Sequence, residues 1–335
     1  MRPASDGTAG HRATVYIRAD EWSEEVLGSE AGRFRGPRTF RYDEGPMDTT
    51  RRTFLKSTGA IAASAASLDA AKPQHELKTI GVQLYTVRTV IDSNPAKTLG
   101  QISDIGYREA ECTSQNLDAI IEAMKETKLK PVSVHMEGSL WKPEAQQKRS
   151  VAFADAKMKG FEYVVYPYVP PQERAGVEGM KRLAENLNAA AKDAHANGLQ
   201  VCYHNHAFEF EPMDGTTPLD VLLSSTDPKQ VGLEMDIFWV VTAGRDPVEL
   251  INQYHNRVHL LHLKDRMKPA KPHYNEDVPR DTFKEVGHGQ IDIAAVLRAA
   301  AAAPVKHYFV EQDATPGDPV ESLRQSFEYL HALRF

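Results

Sequence analysis

The sequence predicts an α/β chain folded as a closed (β/α)8 barrel, on three observations. Eight short β-rich runs recur between Thr79 and Glu311, segments of helical periodicity separate them, and about 260 residues carry the alternation. Strands separated by helical stretches imply βαβ units and a parallel sheet. Eight such units in this length match the usual size of a closed eight-stranded barrel.

Taken in order, the strand candidates are Thr79–Tyr85, Tyr107–Cys112, Lys130–His135, Tyr163–Tyr166, Leu199–His204, Val231–Asp236, Val258–Leu263 and His307–Glu311. The first is followed by Thr86-Val87-Arg88-Thr89. An open dinucleotide-binding sheet would place a glycine-rich phosphate loop there, so the closed barrel is the better reading. Helical periodicity is clearest over Gly176–Asn197 and Ala294–Ala303. Asn197-Gly198 supplies a helix stop immediately before the fifth strand.

Composition sets the class. The 335 residues are 41% hydrophobic and 26% charged, ordinary values for a chain with a sizeable core. A net charge of -6 argues against nonspecific binding to nucleic acid or an anionic membrane. No apolar run reaches the ~18–20 residues of a membrane-spanning helix. Cys112 and Cys202 fall in separate strands and read as buried free thiols rather than a bridge.

The N-terminal region reads differently. Residues 1–46 show no core pattern and are expected to be a disordered or non-native extension, with Met47 as the true start. From there Arg51-Arg52-Thr53-Phe54-Leu55-Lys56 resembles a bacterial twin-arginine motif. A weakly apolar stretch from Ser57 to Leu68 and small residues up to Ala71 follow it. The order of charged, apolar and small-residue regions marks residues 47–71 as a targeting segment, with cleavage after Ala66, Ala70 or Ala71. The expectation is a periplasmic or secreted protein that engages the twin-arginine export machinery, with residues 77–335 forming one domain.

Active sites of such barrels are built at the C-terminal ends of the strands. Here those ends carry Gln83 and Tyr85, Glu111, His135 and Glu137, His204 and His206, Asp236, His262 and Lys264, and Glu311. His204, Asp236, His262 and Glu311 combine imidazoles with carboxylates, a donor set suited to Mn²⁺, Zn²⁺, Co²⁺, Fe²⁺ or Mg²⁺. Such a cation could polarise a carbonyl and a neighbouring hydroxyl while a carboxylate moves the proton between them. Three of the strand-end residues also have a plainer reading. Asp236 could cap the following helix, His262 could be a satisfied core histidine, and Lys264 could pair with Asp265 at the rim.

The segments Tyr203-His204-Asn205-His206-Ala207-Phe208-Glu209-Phe210, Met235-Asp236-Ile237-Phe238-Trp239 and Leu261-His262-Leu263-Lys264-Asp265 resemble the xylose isomerase-like TIM barrel family. Val286-Gly287-His288-Gly289-Gln290-Ile291-Asp292 resembles that family's glycine-containing turn before the last helical layer. The resemblance covers Leu77 to Phe335. It implies a divalent metal held at the ends of strands five to eight by Glu, Asp, His and Glu, of which Asp236, His262 and Glu311 match the last three. His204 stands where the epimerases carry a glutamate, which departs from a two-carboxylate epimerisation. Glu209 could supply the missing carboxylate from the loop, or His206 or Lys264 could carry the second proton.

The function expected from this reading is a metal-dependent isomerase or epimerase of a sugar or keto-sugar. Glu311, His206 and Lys264 are its catalytic groups, and Gln83, Tyr85, Glu111, His135 and Trp239 bind substrate. The alternatives are a lyase, either inosose dehydratase-like or cleaving 3-keto-glycosides, and a non-catalytic exported sugar-binding barrel. Export favours an unphosphorylated sugar or cyclitol as the small-molecule partner. Neither a nucleic acid nor stable membrane insertion is expected, and barrels of this size often pair as homo-oligomers.

Overall fold

The computed structural model describes residues 75–267 and 271–335. The expected extension at residues 1–46 and the twin-arginine segment at 47–71 lie outside the described residues. Eight parallel strands close into the barrel: β1 (Gly81–Gln83), β2 (Glu109–Thr113), β3 (Lys130–His135), β4 (Tyr163–Tyr166), β5 (Gln200–His204), β6 (Val231–Asp236), β7 (Val258–Leu263) and β8 (His307–Val310). Closure is made by β8 pairing with β1, Gly81 against Phe309 and Val82 against Val310. Every strand candidate is present, and the boundaries move by a few residues. The first strand is the most shortened, because Leu84–Val87 turns into a 3-10 helix that carries Tyr85 out of the sheet.

Four helices start in the same way, with a polar cap followed by proline. Asn94-Pro95, Thr217-Pro218, Asp246-Pro247 and Asp318-Pro319 each place a side-chain oxygen on a free backbone N–H of the first turn. Proline suits the first helical position because its missing N–H would have no partner there anyway. The long helix Gly176–Ala196 ends at Asn197, and Gly198 takes φ +70°, a conformation that favours glycine. This fulfils the expected stop.

Two apolar regions hold the fold. The larger lies between the helices and the outward faces of the strands, and includes Trp141, Phe153, Leu187, Phe238 and Leu297. The smaller joins Val132, Tyr163, Val165, Cys202, Leu260 and Phe309, all from barrel strands, as a separate cluster. Side chains of this kind fill a barrel's interior, so it is a packed core with its chemistry at the rim. Cys112 and Cys202 are both buried and free, as the strand assignment implies. Among the described residues no helix is long and apolar enough to cross a membrane.

Beyond β7, Asp265–Arg266 pairs antiparallel with Phe283–Lys284. The alternative reading, a Lys264–Asp265 pair at the rim, does not hold. Asp265 is buried and accepts from the backbone N–H groups of Gly287, Gly289 and Ile291, which shapes the glycine-containing turn. A Cβ at Gly289 would run into Asp265 Oδ1 and Arg266 N, so the turn requires glycine at that position.

Candidate active site

Alternate residues of a barrel strand face the interior, and the C-terminal ends of β5 to β8 converge there. His204, Asp236, His262 and Glu311 each offer one ligand atom within 4.8 Å of the others. Parallel register places Asp236 directly beside His262. Asp236 serves two purposes at once. Its Oδ1 caps the next helix, accepting from Phe238 N at 2.9 Å and Trp239 N at 3.4 Å. Its Oδ2 faces His204 Nε2 at 3.3 Å and Lys264 Nζ at 2.9 Å. The capping role therefore orients the carboxylate and does not compete with the site. Asn205 fixes the same position by bonding both the N–H and the C=O of Asp236.

His204 is oriented from behind, its Nδ1 3.1 Å from the Pro167 carbonyl, which leaves Nε2 facing the cluster. His262 is fully buried, and both its nitrogens meet carboxylates, Nε2 with Glu111 at 2.7 Å and Nδ1 with Glu311 at 2.8 Å. The second contact is short, yet His262 Nδ1 has no partner in hydrogen-bond geometry, and Glu311 Oε2 has none beyond its ion pair with Lys264 Nζ. Burying such atoms unpaired is costly. Two ligand atoms turned towards one shared cation would stand in this relation, so the donor set fits a divalent metal.

Lys264 is buried among three carboxylates: Asp236 at 2.9 Å, Glu311 at 2.7 Å and Asp313 at 2.9 Å. Burial pulls Asp236 and Glu311 towards their neutral forms, but the Lys264 ammonium and the neighbouring imidazoles outweigh it. Both carboxyls sit below the usual carboxylate range. Asp313 moves the other way, raised by its burial and by Glu311. Burial, with His204 and Lys264 nearby, holds His206 neutral, and its Nδ1 has no partner.

Two adjoining cavities open here. One, of about 450 Å³, is lined by Tyr85, His135, Tyr168, His204, His206, Trp239, Lys264, Glu311 and Asp313 among others. The second, of about 560 Å³, shares Tyr85, Thr113, His135, Pro167 and Tyr168 with it, and continues past Leu84, Ile91, Ile120 and Met136 to the exposed Glu137.

Of the residues expected to bind substrate, Tyr85, His135 and Trp239 line the first cavity, but Gln83 and Glu111 do not. Gln83 is buried beneath it, with Nε2 3.3 Å from His135 Nδ1 and Oε1 accepting from Tyr85 N. Glu111 is buried too, between His135 and His262. Both act on the site through histidines. Glu209, expected on the loop as a replacement carboxylate, is fully buried and accepts from Tyr203 Oη at 2.7 Å and His206 N at 2.9 Å. It braces the loop away from the cluster. Burial pushes its carboxyl up to about 8.

Glu234 and Asp313 are the residues that sequence reasoning missed. Each lies two positions from a recognised site residue on the same strand or its extension, Glu234 before Asp236 and Asp313 after Glu311. The period of two was the signal available for both.

The closed parallel barrel carries a mixed imidazole–carboxylate cluster that could hold a metal ion at its C-terminal mouth. A model of the xylose isomerase-like TIM barrel family matches residues 99–333, and the chain belongs to that family. It is 30% identical over 158 residues to an inosose dehydratase of Geobacillus thermodenitrificans (strain NG80-2), covering 44% of this chain and 52% of that protein. An inosose dehydratase of Lacticaseibacillus casei is 28% identical over 162 residues, 45% of this chain and 54% of that one. The chain thus spans about half the length of the curated relatives it matches.

Among solved structures, a sugar phosphate isomerase/epimerase from Parabacteroides distasonis ATCC 8503 superposes with a TM-score of 0.66 at 22% identity, over 77% of this chain and 99% of that one. The IOLI protein with a bound zinc atom gives 0.59 at 17%, over 75% and 95%. At these identities the structural matches establish the fold.

Proposed function

We propose that the protein is a metal-dependent isomerase or epimerase that moves a proton next to the carbonyl of a sugar or keto-sugar. The observation that carries this reading is the convergence of His204, Asp236, His262 and Glu311 beside the buried Lys264 at the mouth of the barrel. The zinc named for the IOLI structure, a barrel of the same fold, supports a bound divalent metal. Held by those four residues, a divalent cation would polarise the substrate carbonyl and an adjacent hydroxyl. The Glu311 carboxylate takes the proton from the carbon. Lys264 Nζ, locked among Asp236, Glu311 and Asp313, supplies fixed positive charge facing the oxygen that becomes negative. His206, held neutral and lining the cavity, is the group placed to carry the second proton. Trp239 and Tyr168 give the ring an apolar wall.

Elimination after the same proton abstraction is the second reading. The largely apolar cavity beside the metal-ligand cluster favours it, because that cavity has room for a substituent leaving from the sugar. The inosose dehydratase relatives carry a name of this reaction class. Export through the twin-arginine route, supported by Arg51-Arg52 and the segment after it, belongs to the same proposal and favours an unphosphorylated substrate.

The test is incubation of the Mn²⁺-loaded protein in D₂O with free sugars, cyclitols and keto-glycosides, read by NMR. Deuterium at a substrate carbon is expected, and Glu311→Gln should lower its rate by about 10²–10⁴-fold. Absence of exchange across the panel would overturn proton abstraction. An isomeric product supports the first reading, whereas release of water or an aglycone supports the second.

A further inference from the structure

Both nitrogens of His262 face carboxylates, so the groups behind the ring decide which nitrogen is offered to a metal. Those groups form a buried relay whose proton directions follow from one main-chain donor. Tyr85 N–H can only donate, and it meets Gln83 Oε1 at 2.6 Å. The other end of that amide, Nε2, therefore donates to His135 Nδ1 at 3.3 Å. His135 keeps its ring proton on Nε2, where Glu234 Oε2 accepts it at 2.9 Å. Both nitrogens of His135 are thus engaged.

Glu111 Oε1 lies 3.0 Å from that same Nε2–H, which marks it as an acceptor, and 2.7 Å from His262 Nε2. His262 therefore holds a proton on Nε2 as well. A neutral imidazole carries only one, so its Nδ1 presents a lone pair. That nitrogen faces Glu311 Oε2 at 2.8 Å and Asp236 Oδ2 at 3.8 Å, and it is in hydrogen-bond geometry with neither. His204 is set the opposite way. The Pro167 carbonyl accepts from its Nδ1 at 3.1 Å, which leaves Nε2 facing the cluster.

We propose that Glu111 is a positioning residue for the metal, an inference that rests on the metal assignment above. It holds His262 in the Nε2–H form, so that the two histidine ligands bind through opposite nitrogens, His262 through Nδ1 and His204 through Nε2. The two supports differ in charge. A carboxylate behind a ring raises its basicity more than a carbonyl does, which makes His262 the stronger donor of the pair. Glu111 lines neither cavity, so it acts on the metal through His262 and not on the substrate.

The experiment loads the full chain, with ¹⁵N-labelled histidine, with Zn²⁺ and reads the ring nitrogens by long-range ¹H–¹⁵N NMR. Zn²⁺ affinity is measured alongside by competition with a chelator. One ring coordinated through Nδ1 and one through Nε2 are expected, and Glu111→Gln should bind Zn²⁺ about 10–100-fold more weakly. Glu209→Gln, which alters a buried carboxylate tied to Tyr203 and the loop, should bind as the wild type does. Two rings bound through the same nitrogen overturn the inference, as does a Glu111→Gln affinity equal to the wild type's. An equal loss in Glu209→Gln overturns it too, since any buried carboxylate would then serve. These three results leave the metal site and the proposed function standing. No Zn²⁺ binding by the wild type removes the metal assignment and this inference together. The wild-type spectrum decides the question even where Glu111→Gln fails to fold.

Discussion

Asp236 shows how one side chain can belong to the fold and to the site together. One oxygen ends a helix and the other faces His204 and Lys264, so the cap sets the direction of the ligand. Glu209 is the contrasting case, a carboxylate placed close to the site in sequence and tied into structural hydrogen bonds. Its raised carboxyl has a consequence for stability. The folded chain keeps the proton up to about 8, whereas an unconstrained carboxyl releases it near 4.5. Between those values the folded state binds more protons than the unfolded one, so stability falls as pH rises through that window. Glu209→Gln cannot ionise. The drop in Tm from pH 5 to pH 8.5 should therefore be smaller in Glu209→Gln than in the wild type, by thermal unfolding at both pH values. Equal drops would exclude a buried protonated Glu209.

At the level of elements, the turn after the antiparallel ribbon depends on one buried carboxylate. Asp265→Ala would leave the N–H groups of Gly287, Gly289 and Ile291 without their acceptor. A loss of about 3 kcal/mol or more is expected in urea unfolding. Gly289→Ala should cost about 1–3 kcal/mol, since the added methyl meets Asp265. The control is Gly100→Ala. Gly100 lies within the helix Pro95–Ile105 with nothing near its absent Cβ, so this change should stabilise by about 0.4–1 kcal/mol. Destabilisation by Gly100→Ala equal to that of Gly289→Ala would show that the turn is not special.

For the molecule as a whole, the buried imidazole–carboxylate cluster contains unpaired polar atoms, so on the proposed metal assignment cation binding and stability should be linked. Cation at ~100-fold above its Kd adds about 2.7 kcal/mol for a single site. In a domain of this size that corresponds to a Tm roughly 5–10 °C higher. Scanning calorimetry of chelator-treated protein, with and without added Mn²⁺, reads this directly. A Tm that does not respond to any of Mn²⁺, Zn²⁺ and Co²⁺ would contradict the metal assignment.

The alternation of β-rich and helical segments was enough to specify the barrel, because burial period and turn chemistry are local properties. Strand ends were legible for the same reason, and His204, Asp236, His262 and Glu311 could be picked out before any geometry was known. The sequence could not say which polar residues face one another across the barrel. Closure brings Glu111 from β2 against His262 from β7, far apart in the chain, and so turns an expected substrate contact into a partner for a histidine. Closure also turns Lys264 from its neighbour Asp265 towards three carboxylates, and gives Glu234 a place beside His135. The chain alone determined the architecture and which strands end in polar residues at its mouth. Only the tertiary structure decided which of those residues face one another, because that depends on contacts between strands distant in sequence.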